Sequence, residues 1–256
     1  VEHGLELANA NRREEARAAF EAALQQDPGN VLSLKFLGAD ALARGDLRQA
    51  IAFNERVAAT GLHRADALSN LSLAYYRAGQ IEQAVTRGRE AMKADPSHRA
   101  ARGNLALALV ALGTTRAREG ETAAAVDALT EAAALEPSNL DVLERLAAAL
   151  HRAGRPAEAR SRFMAVIAAD STRKLAQMGV AAIDLEAGLA REAAARLEPL
   201  ATGWPGAYQA QFYLAEAYRR LGDAHRAREA YAASMAAAPP GDPVKDAARR
   251  ALATLR

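Results

Sequence analysis

No cysteine occurs in the 256 residues, so there is no disulfide frame, no thiolate nucleophile and no thiolate zinc site, and the redox compartment stays open. Aromatic residues make up only 5% of the chain, which leaves a core of small and aliphatic side chains. An excess of either charge is also missing. Lys and Arg number 33 against 31 Asp and Glu, a net charge of +2, and that balance gives no reason to expect nucleic acid as a partner. No apolar run reaches the roughly 20 residues needed to cross a bilayer, and no cleavable signal stands at Val1. Membrane insertion is therefore not expected, and a soluble protein of the cytoplasm or periplasm is. The five histidines (His3, His63, His98, His151 and His225) are dispersed without an HExxH pair, and no phosphate loop, dinucleotide fingerprint or GxSxG elbow is present. The sequence is read as non-enzymatic, with no metal and no cofactor.

What is present is a period. Ala16, Ala50, Ala84, Ala125, Ala159, Ala193 and Ala227 follow one another at 34 residues, except for one gap of 41 between Ala84 and Ala125. A period in that range marks a stack of supersecondary units, each touching mainly its neighbours and together forming an extended surface. Within residues 65–98, Leu68, Leu71, Ser72 and Tyr75 recur at helical spacing and Gly79 ends the helix. A second helix carries Ile81, Ala84, Val85, Gly88 and Ala91 before Pro96 stops it. The same glycine returns at 45, 120, 154, 188 and 222, and closing prolines stand at Pro28, Pro96, Pro137, Pro205 and Pro239. Asn30, Asp46 and Asp223 are expected N-caps, Ser138 with Asp141 a capping box, and Pro243 a first helical residue. Small residues mark the closest helix crossing in each hairpin: Gly4, Gly38, Ser72, Ala106, Gly113, Ala147, Ala181 and Ala215 on the first helix, opposite the seven alanines on the second.

This pattern resembles the tetratricopeptide repeat, most fully over residues 208–241, where Leu214, Ala215, Tyr218, Gly222, Ala227, Tyr231 and Pro239 are on register. The resemblance covers essentially the whole chain. It implies an all-α fold, a single right-handed solenoid of about seven helical hairpins with repeats at 1–30, 31–64, 65–98, 99–139, 140–173, 174–207 and 208–241. Residues 242–256 are expected to form a capping helix with Val244, Ala248 and Leu252 inward and Lys245, Asp246, Arg249 and Arg250 outward. The first repeat lacks its first turn, which reads as an excised or processed fragment, and the abundance of alanine and arginine points to a GC-rich bacterial source. Residues 99–139 fit the register twice, through Leu105 with Ala106 and again through Leu112 with Gly113. Seven extra residues are about two helical turns, so an extended first helix is expected there. Asn54 and Gly88 replace aromatics, and Leu62 and Ser171 replace prolines; looser packing is expected at these sites.

By the same resemblance the first helices line an inner, concave face, and ligands of similar proteins touch first-helix offsets 2, 5, 6, 9, 12 and 13 counted from each repeat start. Carried across, the peptide-binding candidates are Lys35, Phe36, Asn70, Leu73, Tyr76, Arg77 and Asn104, then Glu144, Arg145, His151, Arg152, Met178, Phe212, Tyr213, Glu216, Arg219 and Arg220. Asn70 and Asn104 occupy the sixth offset of consecutive repeats and resemble two rungs of the asparagine ladder that lines the superhelix of O-GlcNAc transferase; an amide can both donate to and accept from a peptide backbone. Lys35 and Asn70 also resemble part of a carboxylate clamp, which Ala39, Ala100 and Asn104 do not complete. Arg145, Arg152, Arg219 and Arg220 with His151 read either as a basic groove for acidic segments or as a solvated face. Tyr75, Tyr218, Phe163, Tyr231 and Phe20 fall on packing offsets, and Trp204 packs a turn. The function expected is a non-enzymatic scaffold or adaptor binding a protein or peptide partner. The alternatives are a self-associating module or a non-catalytic region of a larger assembly, secretion or glycan-machinery protein.

Overall fold

Helix punctuation in the sequence translates directly into helix boundaries. The computed structural model describes residues 1–204 and 206–255 and divides into two compact units, Val1–Asn139 and Leu140–Arg256. The division falls on the boundary between the fourth and fifth repeats. In the first unit the helices are α1 (Glu2–Asn9), α2 (Arg13–Gln26), α3 (Val31–Arg44), α4 (Leu47–Thr60), α5 (Arg64–Arg77), α6 (Ile81–Ala94), α7 (Arg99–Arg118) and α8 (Thr122–Leu135). In the second they are α9 (Leu140–Arg152), α10 (Pro156–Ala169), α11 (Lys174–Glu186), α12 (Ala190–Leu197) with a 3-10 turn at Glu198–Leu200, α13 (Ala207–Arg220), α14 (Ala224–Ala237) and α15 (Pro243–Thr254). No strand occurs among the described residues. Within each unit, antiparallel hairpins stack side by side, the second helix of one against the first helix of the next and, more lightly, first helix against first helix.

The ends of these helices follow from side-chain chemistry. Gly45, Gly79, Gly120, Gly154, Gly188 and Gly222 all take positive φ between the two helices of a hairpin, where a Cβ is costly. The first hairpin has no glycine there and uses Asn11 at φ 58, the residue type that tolerates the left-handed region best after glycine. Asn30, Asp46 and Asp223 each accept a backbone N–H from three residues on, at 3.0 Å, and Pro243 opens α15 behind Asp242. The sequence missed a further cap: His98 Nδ1 accepts from Ala101 N at 3.1 Å. The Ser138 box is corrected by the helix start, because α9 begins at Leu140 and the flanking cap position is Asn139, leaving Ser138 one residue outside. Pro205, one of the expected closing prolines, lies outside the described residues.

All seven periodic alanines are completely buried, and opposite them the first-helix positions leave no room. A Cβ built on Gly38 would stand 2.6 Å from Asn54 Nδ2, and one on Gly113 would stand 2.7 Å from Leu129 Cγ. The expectation of loose packing at Asn54 and Gly88 is corrected here. Asn54 is buried, donates to Ala50 O at 2.8 Å and fills the space that Gly38 vacates. Gly88 is closed by Leu105 of α7 and by Ser72 Oγ, each 3.0 Å from where its Cβ would be. At Leu62 the missing proline is replaced by two left-handed residues, Gly61 at φ 77 and His63 at φ 50.

The 20-residue α7 uses both of its registers. Leu105, in the first, packs onto Gly88 and Ser72 of the preceding hairpin; Gly113, in the second, crosses α8 at Ala125 and Leu129. One long helix therefore performs docking and hairpin closure at different heights. In the capping helix Ala248 is fully buried and Val244 and Leu252 half-buried, while Asp246, Arg249 and Arg250 are exposed; Lys245, expected in water, is half-buried.

Candidate functional site

Stacked first helices obey a simple pairing rule that decides which polar side chains remain available. Arg77 Nη1 donates to Leu42 O at 2.9 Å, Asn104 Nδ2 to Ser69 O at 3.1 Å, His151 Nε2 meets Glu186 Oε2 at 2.9 Å, and Arg220 Nη1 donates to Leu185 O. Every one of these pairs is 35 residues apart, one repeat plus one residue. The register is that of neighbouring helices shifted by a single position. Arg77 and Arg220 thereby add a second donor to carbonyls at the C-terminal ends of α3 and α11 that already accept from Gly45 N and Gly188 N.

In the first unit this rule and its relatives occupy most of the expected groove side chains. Lys35 Nζ donates to Asp66 Oδ2 at 2.7 Å and to His63 Nδ1 at 3.2 Å, and Asp66 Oδ1 takes His98 Nε2 at 2.9 Å. The Lys35 ammonium, and then His98, hold the Asp66 carboxyl below its usual range. Asn70 Nδ2 donates to Asn54 Oδ1 at 3.2 Å, and Asn104 Nδ2 also donates to Ser69 Oγ at 3.0 Å. Both ladder asparagines thus spend an amide hydrogen inside the protein. Phe36 stacks on Phe20 with ring centroids 4.3 Å apart, and Leu73 packs on the Ala41, Leu42, Ala50 and Ala74 cluster. Tyr76 is half-buried.

The second unit is more open. A groove of about 760 Å³ lies along α9, α11 and α13. It is lined by Glu144, Arg145, Ala148, His151 and Arg152 of α9, Leu175, Met178, Gly179 and Ala182 of α11, and Gln209 and Tyr213 of α13, with Asp141, Phe163 and Arg173 completing it. Six of the peptide-binding candidates, Glu144, Arg145, His151, Arg152, Met178 and Tyr213, come together here. Glu216, Arg219 and Arg220 do not line it: Arg219 donates to Glu216 Oε2 at 2.7 Å, and Tyr231 of α14 donates its hydroxyl to the other oxygen of Glu216. Burial pushes the Glu216 carboxyl up, but the hydrogen bonds from Arg219 and Tyr231 outweigh it and leave the group below its usual range. Phe212 is turned edge-on to Tyr231, with centroids 5.8 Å apart, and belongs to the packing of this unit.

Charge inside the groove is unevenly compensated. Arg173 pairs with Asp141, lies 3.4 Å from Glu144 Oε2 and 3.4 Å from Asp170 Oδ2, so one cation serves three carboxylates. Burial raises the Glu144 carboxyl, with Arg173 opposing it, and burial likewise raises the Tyr213 phenol. Arg145 and Arg152 are exposed and form no hydrogen bond or ion pair among the described residues. Val180 and Ala187, 35 residues on, offer them no side-chain acceptor.

Sequence reasoning missed the groove floor. Phe163 lies on α10, at a packing offset, yet reaches the groove because Gly179 has no side chain; a Cβ on Gly179 would stand 2.5 Å from the Phe163 ring. The signal was a glycine at an inner offset 16 residues after an aromatic. Trp204 packs its turn as expected, donating Nε1 to Leu200 O at 2.6 Å, with Lys174 Nζ 5.7 Å from the ring centroid. No helix among the described residues is long and apolar enough to cross a membrane, and no group of three or more metal-ligating side chains is present among them.

Comparison with known proteins agrees with this architecture. No curated protein matches the sequence. Among solved structures, YrrB, described as a TPR protein with an unusual peptide-binding site, is 15% identical, with a TM-score of 0.59 over 77% of this chain and 97% of that one. The C-terminal part of a TPR repeat-containing protein from Cytophaga hutchinsonii is 14% identical, with a TM-score of 0.67 over 96% and 98%. Pseudomonas aeruginosa pilF is 18% identical, with a TM-score of 0.56 over 93% and 99%. These likenesses are of fold. Two sequence profiles described as Tetratricopeptide repeat match the chain, one over residues 116–183 and the other over 1–66, 69–115 and 183–243. With more than half of its length matched by a single profile and its hairpins on the 34-residue register but for the 41-residue unit of α7, the chain belongs to the tetratricopeptide repeat family, a family of non-catalytic protein-interaction scaffolds.

Proposed function

We propose that this protein is an adaptor that holds an extended peptide segment of a partner in the inner groove of its second unit, along α9, α11 and α13. The observation that carries the reading is the groove itself: about 760 Å³, within the range of natural ligand sites, floored by Met178, Gly179 and Phe163 and edged by polar side chains. Six residues that the family resemblance assigns to peptide contact line it, and the two arginines without a partner among the described residues favour acidic segments over basic ones. The likeness in fold to a peptide-binding TPR protein is consistent with this reading. In the first unit the equivalent side chains are engaged with one another, so Lys35, Asn70, Arg77 and Asn104 are proposed to position helices more than to grip a ligand.

The experiment is selection of peptides from a display library against the whole chain, followed by binding to Tyr213→Ala. Selected peptides are expected to lose about fivefold or more in affinity while helical circular dichroism is unchanged, since an interface aromatic contributes upward of about 1 kcal/mol. Equal affinity for the variant across the selected set would remove the groove from consideration.

A further inference from the structure

The two unpartnered arginines of the groove have a spacing that selects a ligand register. Arg145 and Arg152 are seven residues apart on the single helix α9, two turns, so they project from the same face with about 10.5 Å of helix rise between them. Both are exposed at the groove, and neither meets an acidic group, because Asp141 and Glu144 are held by Arg173 and Glu186 by His151. A chain in the polyproline II conformation repeats every third residue with 3.1 Å per residue, so side chains three apart point the same way and lie about 9.3 Å apart. That span matches the arginine pair to within the reach of a side chain.

Resting on the groove reading above, we infer that the preferred ligand is an extended acidic peptide with two carboxylates three residues apart, one on Arg145 and one on Arg152. Between them an apolar side chain lies over Met178 and the Phe163 ring, whose edge stands where a Cβ at Gly179 would be. Guanidinium groups bind carboxylates through paired N–H donors, so the two contacts fix register as well as charge. Because both arginines are solvated, the charge preference is modest and screened by salt.

The test uses the whole chain and four short labelled peptides measured by fluorescence anisotropy at low and high salt. One carries Glu-Leu-Pro-Glu, the second its Gln isostere, the third Lys at both positions, and the fourth has the two Glu residues adjacent. The first is expected to bind about three- to tenfold tighter than the second and fourth, with the advantage shrinking in high salt. Arg145→Glu combined with Arg152→Glu should reverse the order, so that the Lys peptide now binds best; both sites are exposed and circular dichroism verifies that the fold is kept. If Glu and Gln peptides bind equally, with chemical-shift changes at Met178 and Tyr213, the groove reading stands and the acidic register is overturned. If no peptide of the four perturbs those residues, the register falls, and display-selected peptides that also bypass Tyr213 would take the groove reading with it.

Discussion

At the scale of single residues, the useful distinction is between polar groups that hold the stack together and those left over. Asn70, Asn104, Arg77 and Arg220 read identically to Arg145 and Arg152 in sequence, at inner first-helix offsets, yet the former are bonded to the neighbouring repeat and the latter are not. Asp66 is the most connected of the bonded set, held by Lys35 and His98. Its carboxyl titrates below the usual value in the folded chain, so its contribution to stability is present above the unfolded value of about 4 and disappears as pH falls through the lower folded value. Urea midpoints measured between about pH 2.5 and 7 should therefore show wild type more stable than Asp66→Asn at neutral pH, with the gap closing below about pH 4. A gap that stays constant down to pH 2.5 would show that Asp66 is not engaged as described.

At the scale of elements, helix crossings decide where alanine and glycine are interchangeable. Gly113 and Gly103 lie on the same helix, α7, but only Gly113 falls on the crossing register. A Cβ on Gly113 would press on Leu129 Cγ at 2.7 Å and the Ala125 carbonyl at 3.2 Å; a Cβ on Gly103 meets nothing within 4 Å. Gly103→Ala should stabilise the chain by about 0.5–1 kcal/mol through helix propensity alone. Gly113→Ala gains the same propensity but overpacks a crossing, for a net loss of about 1–2 kcal/mol. Chemical denaturation of the two variants side by side reads the difference directly, and equal stabilisation would mean that α7 and α8 do not cross there. The double register of α7 shows why the 41-residue gap is tolerated: an insertion of two turns preserves the apolar face, so each half of the helix can serve a different neighbour.

At the scale of the whole molecule, stability in such stacks is a sum of local repeat terms and nearest-neighbour interfaces. The second unit has its own core, from Ala181 and Leu197 through Leu214, Tyr218 and Tyr231 to Ala248. Residues 140–256 produced alone should keep the helical signal per residue of the intact chain and melt cooperatively; a non-cooperative loss of ellipticity would show that this core is insufficient. Much of the architecture was legible beforehand, because the glycines with positive φ and the buried alanines recur with the repeat and the caps at Asn30, Asp46 and Asp223 act within a few residues. The groove was legible only as a set of offsets. Local sequence by itself determined the helices, their ends, the small-residue crossings and the family, since those depend on interactions a few residues apart or on one recurring contact. Tertiary structure alone decided that first helices pair 35 residues apart, that Arg145 and Arg152 have no partner among the described residues, and that Gly179 lets Phe163 through to the groove, because each depends on which side chain of one repeat meets which of the next.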